Sequence, residues 1–257
     1  MERQRITVDI ETLPDKLRCY ARGADIYDSS CSPEARVFFI DRDCGYFLKT
    51  SEKGSLQREA LMDRYFHRKG LTASVIEYLS LESDWLLTER IKGEDATHKL
   101  YLSDPKRLAE TSAEILRELH ELDFSDCPVK DRMSEYFSTV EKNYCSGTYD
   151  LSYGGHTTAD EAYRVAVEGR ALLKSDTLIH GDYCLPNFLM DNWRFSGFID
   201  LGNGGVGDRH VDLFWGAWTL KFNLKTDEYR ERFFDAYGRE KINNDALAAI
   251  AAAECFG

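Results

Sequence analysis

Residues 177–202, TLIHGDYCLPNFLMDNWRFSGFIDLG, decide how the chain is read. Thr177-Leu178-Ile179 fits a short buried strand, and it opens into the polar loop His180-Gly181-Asp182-Tyr183-Cys184-Leu185-Pro186-Asn187. Phe188-Leu189-Met190 and Arg194-Phe195-Ser196-Gly197-Phe198-Ile199 then flank a turn at Asp191-Asn192, the pattern of a hairpin. One loop therefore carries both Asp182 and Asn187, and Asp200 follows thirteen residues after that asparagine.

That spacing answers a specific chemical demand. Phosphoryl transfer from a magnesium nucleotide needs a carboxylate to orient the acceptor hydroxyl, oxygen ligands for a hard cation, and a cation on the phosphates. Asp182 and Asn187 have the D-x-x-x-x-N spacing of the protein-kinase catalytic loop, and Asp200 stands in the place of the kinase metal-binding Asp on the next hairpin. Taken singly, a turn aspartate or a strand-end aspartate needs only a structural account. The three together, with strands on both sides, point to phosphotransfer. The same chemistry demands a strand lysine and a helix glutamate upstream. Lys49 ends Tyr46-Phe47-Leu48-Lys49, and Glu59 lies in Leu56-Gln57-Arg58-Glu59-Ala60; their ordinary readings are a solvated charge and a local helix pair.

Outward from these residues, the first third is β-rich. Val37–Ile40 and Tyr46–Lys49 flank a polar five-residue link that closes a hairpin. A helix is expected over 56–69, with apolar or aromatic residues at 56, 60, 61, 65 and 66 and Gly70 placed to cap it. Strands near 74–79 and 85–88 complete a small sheet. After Lys92-Gly93 the pattern turns helical: Asp104 can cap, Pro105 fits the first turn, and Leu108, Ile115, Leu119 and Leu122 share a face. The expected division is thus a nucleotide-binding lobe over 1–92 and a catalytic lobe over 93–257. Residues 145–158 read as a long loop, and helices are expected at 212–222 and 228–237, before an Ala-rich segment.

Gly202-Asn203-Gly204-Gly205-Val206-Gly207 matches the dinucleotide fingerprint G-x-G-x-x-G, but only 50 residues follow it, too few for further βαβ units, so it is read as a flexible loop. No G-x-x-x-x-G-K-[ST] phosphate loop is present.

Composition narrows the setting. The 257 residues are 43% hydrophobic and carry a net charge of −12, enough for a sizeable core and against a nucleic-acid partner. Seven scattered cysteines without a C-x-x-C pair indicate reduced thiols. The most apolar run, Ala246–Ala253, is too short to cross a membrane, and the N-terminus lacks a signal-peptide core. A cytoplasmic protein acting on a small cationic molecule is expected.

The chain resembles the aminoglycoside phosphotransferase family, most closely its 3′-phosphotransferase branch, from about Ser29 onward. The likeness is densest in IHGDYCLPNFLMDNWRFSGFIDLG and extends to SPEARVFFI (32–40), LLTERIKGEDA (86–96), ILRELHELDFSDCP (115–128), DRHVDL (208–213) and FFDAYG (233–238). The resemblance implies an α/β (α+β), protein-kinase-like two-lobed fold, with a β-rich N-lobe and a mainly helical C-lobe. It implies Asp182 as catalytic carboxylate, Asn187 and Asp200 as Mg2+ ligands, Lys49 on the α/β-phosphates and Glu59 as its ion-pair partner. Ser32 would approach the β-phosphate, Phe47 would stack on the purine of ATP or GTP, and backbone groups around Glu89 and Ile91 would bond the base. His180 and Asp212 would brace the catalytic loop.

Departures from the branch concern the acceptor. Asn203 stands where an arginine is usual, and Phe222 where an acid is frequent. The acids available to a cationic sugar are Asp150, Asp160 and Glu161 before the HGD strand, and Glu254 near the end. The expected activity is transfer of a γ-phosphate to an aminoglycoside hydroxyl, the 3′-hydroxyl by resemblance. The alternatives are a kinase of the same fold for another cationic or hydroxylated metabolite, an idle nucleotide-binding module, and a dinucleotide oxidoreductase.

Overall fold

The computed structural model describes residues 4–31 and 35–257, so Ser32 lies outside the described residues. The chain forms two compact units: one takes the residues up to Glu94 together with Leu189–Gly202, the other takes Asp95–Phe188 and Asn203–Gly257.

The first unit is built on an antiparallel sheet. Its strands are β1 (Gln4–Ile6), β2 (Asp25–Asp28), β3 (Ala35–Asp41), β4 (Tyr46–Glu52), β5 (Val75–Ser80) and β6 (Ser83–Glu89), in the order β1-β2-β3-β4-β6-β5. The period of two along β3 and β4 sends Phe38, Ile40 and Leu48 into a core with Leu13, Leu17 and Ala21, the last two from α1 (Asp15–Ala21). The alternate positions turn to the other side. Leu86, which is register-paired with Lys49, packs there with Leu56 and with Ala60 of α2 (Gln57–Arg68). Lys49 is thereby aimed at α2. The N-terminus of α2 has no cap of its own; the buried Asp84 carboxylate of β6 accepts the Leu56 N–H at 3.0 Å, and Gly70, at φ +74°, ends the segment.

Beyond β7 (Glu94–Asp95), the second unit is mainly helical. It contains α3 (Lys99–Leu102), α4 (Pro105–His120), α5 (Arg132–Ser146), α6 (Ala159–Gly169) and the strand β8 (Thr177–Ile179). Asp104, Asp131 and Thr158 cap α4, α5 and α6 through side-chain oxygens. The hairpin strands β9 (Phe188–Asp191) and β10 (Arg194–Phe198) come next, then β11 (Gly205–Gly207), α7 (Arg209–Leu224), α8 (Arg230–Tyr237) and α9 (Asn244–Ala253). The core gathers Phe137 from α5, Ala162 and Ala166 from α6, Ile179, Val211, Ile250 and the near-terminal Phe256. Gly216 of α7 faces Phe233 of α8 so closely that a Cβ would lie 2.5 Å from the ring.

Several boundaries differ from expectation. Helix α5 runs to Ser146, so the long loop begins later, and α7 extends past 212–222 at both ends. The Ala-rich segment is α9, whose small side chains pack closely on α6. The glycine-rich 202–207 run contains β11, antiparallel to β8, which is not the parallel arrangement of a dinucleotide fold.

Most of the β9–β10 hairpin belongs to the first unit. Its turn centres on Asn192 and Trp193, at φ +49° and +68°, one residue later than the sequence suggests. The Phe198 N–H donates to the Leu71 carbonyl at 2.8 Å, and Thr72 Oγ1 donates to the Phe198 carbonyl at 2.7 Å. Phe198 also meets Phe66 of α2 edge to face.

Candidate active site

In the first unit the strand lysine, the helix glutamate and the hairpin aspartate converge. Lys49 Nζ donates to Glu59 at 2.7 and 3.0 Å and to Asp200 Oδ1 at 2.9 Å. The pairing is mostly buried: side-chain exposure is 20% for Lys49 and 10% for Glu59, against 51% for Asp200. Burial alone would pull the Lys49 pKa down, but the Glu59 and Asp200 carboxylates outweigh it and hold the ammonium well above its usual value. Burial raises Glu59, with Lys49 opposing. One turn along α2, the buried Asp63 is raised well above its usual value, by burial first and the Glu59 charge second. Sequence reasoning passed over this second acid, although its i+4 spacing from Glu59 puts both on one helix face.

Phe47 shares the sheet face of Lys49 and rests against Phe39, with ring centroids 5.2 Å apart. Around Glu89 the backbone is partly committed: the Glu89 N–H donates to Ser74 and the Arg90 N–H to Gly45. Ile91 is buried beside Gly197.

In the second unit, Asp182 and Asn187 are joined side chain to side chain. The Asn187 amide donates to Asp182 Oδ2 at 2.8 Å and to its carbonyl at 2.9 Å. The loop is anchored from below by Asp212, which is fully buried; its two oxygens accept the backbone N–H groups of His180 and Gly181, each at 2.7 Å. Asp212 also pairs with His120 Nε2 at 3.0 Å, and His120 Nδ1 lies 2.8 Å from the Tyr237 hydroxyl. Burial lowers the His120 pKa, so the ring is neutral, with Nε2–H donating to Asp212 and Nδ1 accepting from Tyr237. His120 and Tyr237 were not singled out from sequence. Their signal was a histidine ending the amphipathic helix α4 beside Leu119, a place where a buried polar group must find partners.

In the second unit Asn187 spends its amide nitrogen on Asp182, and in the first unit Asp200 carries a half-exposed carboxylate at φ +61°. An amide oxygen and a carboxylate are each donors of the kind a hard divalent cation takes.

The four candidate acceptor acids fall into two settings. Asp160 and Glu161 sit in the first turn of α6, where Asp160 accepts from Tyr144 and Glu161 from Thr157. Asp150 accepts from Ser152, and its own N–H donates to Cys255, which brings it beside the terminal segment. Glu254 is buried, and its Oε1 accepts from Tyr136 at 2.9 Å and from Trp215 at 3.1 Å. Burial pushes its pKa up to about 7. Phe222 is exposed and stacks on Trp218, with centroids 4.9 Å apart. At Asn203, Arg132 of α5 bonds the side chain and the carbonyl, both at 3.0 Å.

A profile of the phosphotransferase enzyme family matches residues 32–251. The chain is 50% identical to a probable aminoglycoside 3′-phosphotransferase of Lactococcus lactis subsp. lactis (strain IL1403), over 99% of this chain and 98% of that one. Among solved structures, an aminoglycoside 3′-phosphotransferase of type VIII superposes with a TM-score of 0.74 at 25% identity, covering 94% of this chain and 97% of the other. An aminoglycoside phosphotransferase from Streptomyces rimosus, solved with ADP and streptomycin, superposes with a TM-score of 0.68 at 21% identity, covering 85% and 90%. The neighbours carry the protein-kinase-like fold expected from the sequence. With its catalytic-loop spacing and its Lys49–Glu59 pair, this chain belongs to the phosphotransferase enzyme family, in company with the aminoglycoside phosphotransferases.

Proposed function

We propose that the protein transfers the γ-phosphate of a magnesium-bound ATP or GTP to a hydroxyl of an aminoglycoside, the 3′-hydroxyl, in the cytoplasm. A nucleotide is the family's co-substrate, and the full-length likeness to a probable 3′-phosphotransferase supports the acceptor. The observation that carries the chemistry is the Asp182–Asn187 contact on a loop fixed by Asp212.

In this reading Asp182 accepts a hydrogen bond from the acceptor hydroxyl and aims its oxygen at the phosphorus. Its carboxylate is already oriented by the Asn187 amide, so little reorganisation accompanies transfer. Lys49 binds the α/β-phosphates, and Glu59 keeps its ammonium in place and charged. Asn187 and Asp200 would hold magnesium through oxygen, and the ion would neutralise phosphate charge. Phe47 would stack on the base, and Asp150 and Glu254 would meet ammonium groups of the acceptor.

A second reading, a kinase for a less cationic metabolite, is favoured by one observation. Glu254 is buried with its pKa pushed up to about 7, while Asp160 is engaged by Tyr144 of α5 and Glu161 by Thr157 on the approach to α6. Turnover of ATP and GTP against kanamycin, neomycin, a 3′-deoxy aminoglycoside and several amino alcohols separates the two. Activity with kanamycin but not the 3′-deoxy compound establishes chemistry and position; activity with amino alcohols alone transfers the protein to the second reading.

A further inference from the structure

The glycine-rich run 202–207 is packed, not free. Arg132, the first residue of α5, reaches over it: Nε donates to the Asn203 carbonyl and Nη2 to Asn203 Oδ1, both at 3.0 Å, while Nη1 donates to Glu135 at 3.3 Å. The guanidinium is largely buried, with 13% side-chain exposure, although Asn203 itself is exposed. Against the same carbonyl stands Gly181, where a Cβ would lie 2.0 Å from the Asn203 oxygen. Only a residue without a side chain, here at φ +85°, fits that position, and the next residue is Asp182.

We propose that Arg132 is a positioning residue for phosphoryl transfer, acting through Asn203 and Gly181 on the Asp182 loop. The inference rests on Asp182 as the acceptor-orienting carboxylate. Asp212 holds the His180-Gly181 turn by its N–H groups, and the Asn203 carbonyl closes the other side. Gly202, Gly204 and Gly205 surround Asn203 with backbone freedom that must be removed if its carbonyl is to stay seated. A planar guanidinium fork gripping both oxygens of one residue does this with a fixed geometry, which a lysine's single ammonium cannot reproduce. The far end of the run is pinned from the same approach to α5: Val206 N–H donates to the Val129 carbonyl at 2.8 Å, and Gly205 fits against the Val129 side chain. Within the run that imitates a dinucleotide motif, Gly205 and Gly207 are required by close approach, since a Cβ would lie 2.7 Å from Val129 and 2.6 Å from Ile179.

The test combines turnover with amide hydrogen exchange. Arg132→Ala is expected to lower kcat with kanamycin roughly 10- to 100-fold while the nucleotide KM stays within about twofold. Exchange at Gly181–Cys184 should accelerate about tenfold or more, with α4 and α9 unchanged. Arg132→Lys should recover part of both, and Asn203→Ala, which keeps the carbonyl contact, should fall between the parent and Arg132→Ala. The proposal is overturned if kcat and the Gly181–Cys184 exchange both stay within about twofold, or if exchange rises alike across α4 and α9. Exchange is read without any acceptor. A parent that phosphorylates no aminoglycoside would therefore refute the acceptor while the Arg132 clasp is still decided.

Discussion

The side chain of Asn187 is bound to the side chain of Asp182 at 2.8 Å, so the two ends of the D-x-x-x-x-N loop fix one another. Replacing Asp182 by Ala should lower kcat by roughly 10² to 10⁴ while nucleotide affinity changes by no more than about threefold. Single-turnover rates and nucleotide titration measure the two separately. Comparable turnover in mutant and parent would remove Asp182 from its role.

Lys49 is the counter-charge that makes a buried Glu59 tolerable. Lys49→Met should lose nucleotide binding and also stability, by roughly 3 kcal/mol, because it leaves Glu59 buried without its cation. Adding Glu59→Gln should return at least half of that stability but none of the binding. Urea unfolding of the two variants checks this; equal stability of both would mean that Glu59 takes up a proton once Lys49 is gone, and would contradict the expected rescue.

Glu254 makes stability depend on pH near neutrality. Its folded-state pKa of about 7 exceeds the 4.5 of an exposed glutamate, so between those values the folded protein binds more protons than the unfolded chain. Stability therefore falls as pH rises from about 4.5 to about 7, and stays low above. Glu254→Gln keeps an oxygen for Tyr136 and Trp215 and should gain up to about 3 kcal/mol at pH 8.5, with little change at pH 4. Thermal melts across that range would show either this flattening or parallel curves, and parallel curves would exclude the titration.

Tyr237, His120 and Asp212 form a line of hydrogen bonds ending on the His180-Gly181 turn. Tyr237→Phe removes one donor and should cost about 1 kcal/mol, whereas Asp212→Ala strands two backbone N–H groups and a ring N–H and should cost roughly 3 kcal/mol or more. Denaturant midpoints would reveal the ordering, and a Tyr237→Phe cost as large as that of Asp212→Ala would contradict it.

At Gly216 an added methyl meets the Phe233 ring at 2.5 Å. Gly216→Ala should destabilise by about 1–3 kcal/mol through overpacking, and Phe233→Leu in the same chain should relieve part of the loss. Additive losses in the double variant would show that the two do not share the space.

Much of the fold was legible because its signals are local. Alternation in β3 and β4, the glycine after α2 and the aspartate–proline start of α4 each act within a few residues. The hairpin turn was misplaced by one position because a tryptophan in the left-handed region has no favourable local signal. The Ala-rich end carries no local signature of its state, because alanine shows no polar face, and only packing on α6 decides it. Within the site, Lys49, Glu59 and Asp200 could be expected together because a known chemistry requires them. Arg132 could not, since its partner lies 71 positions away and nothing near it in sequence marks the contact.

The first unit is discontinuous in sequence, and that has a consequence for how the protein is made. Thr72 awaits a partner 126 positions downstream, and the Leu71 carbonyl awaits the Phe198 N–H. A ribosome that has released only the sheet and α2 has released an unfinished body, with the α2 face around Phe66 still lacking Phe198. That face of α2 lacks its partner until the second unit has been synthesised as far as Phe198. Slow codons placed between the two would then lengthen the exposure of the first unit and would not help it to fold.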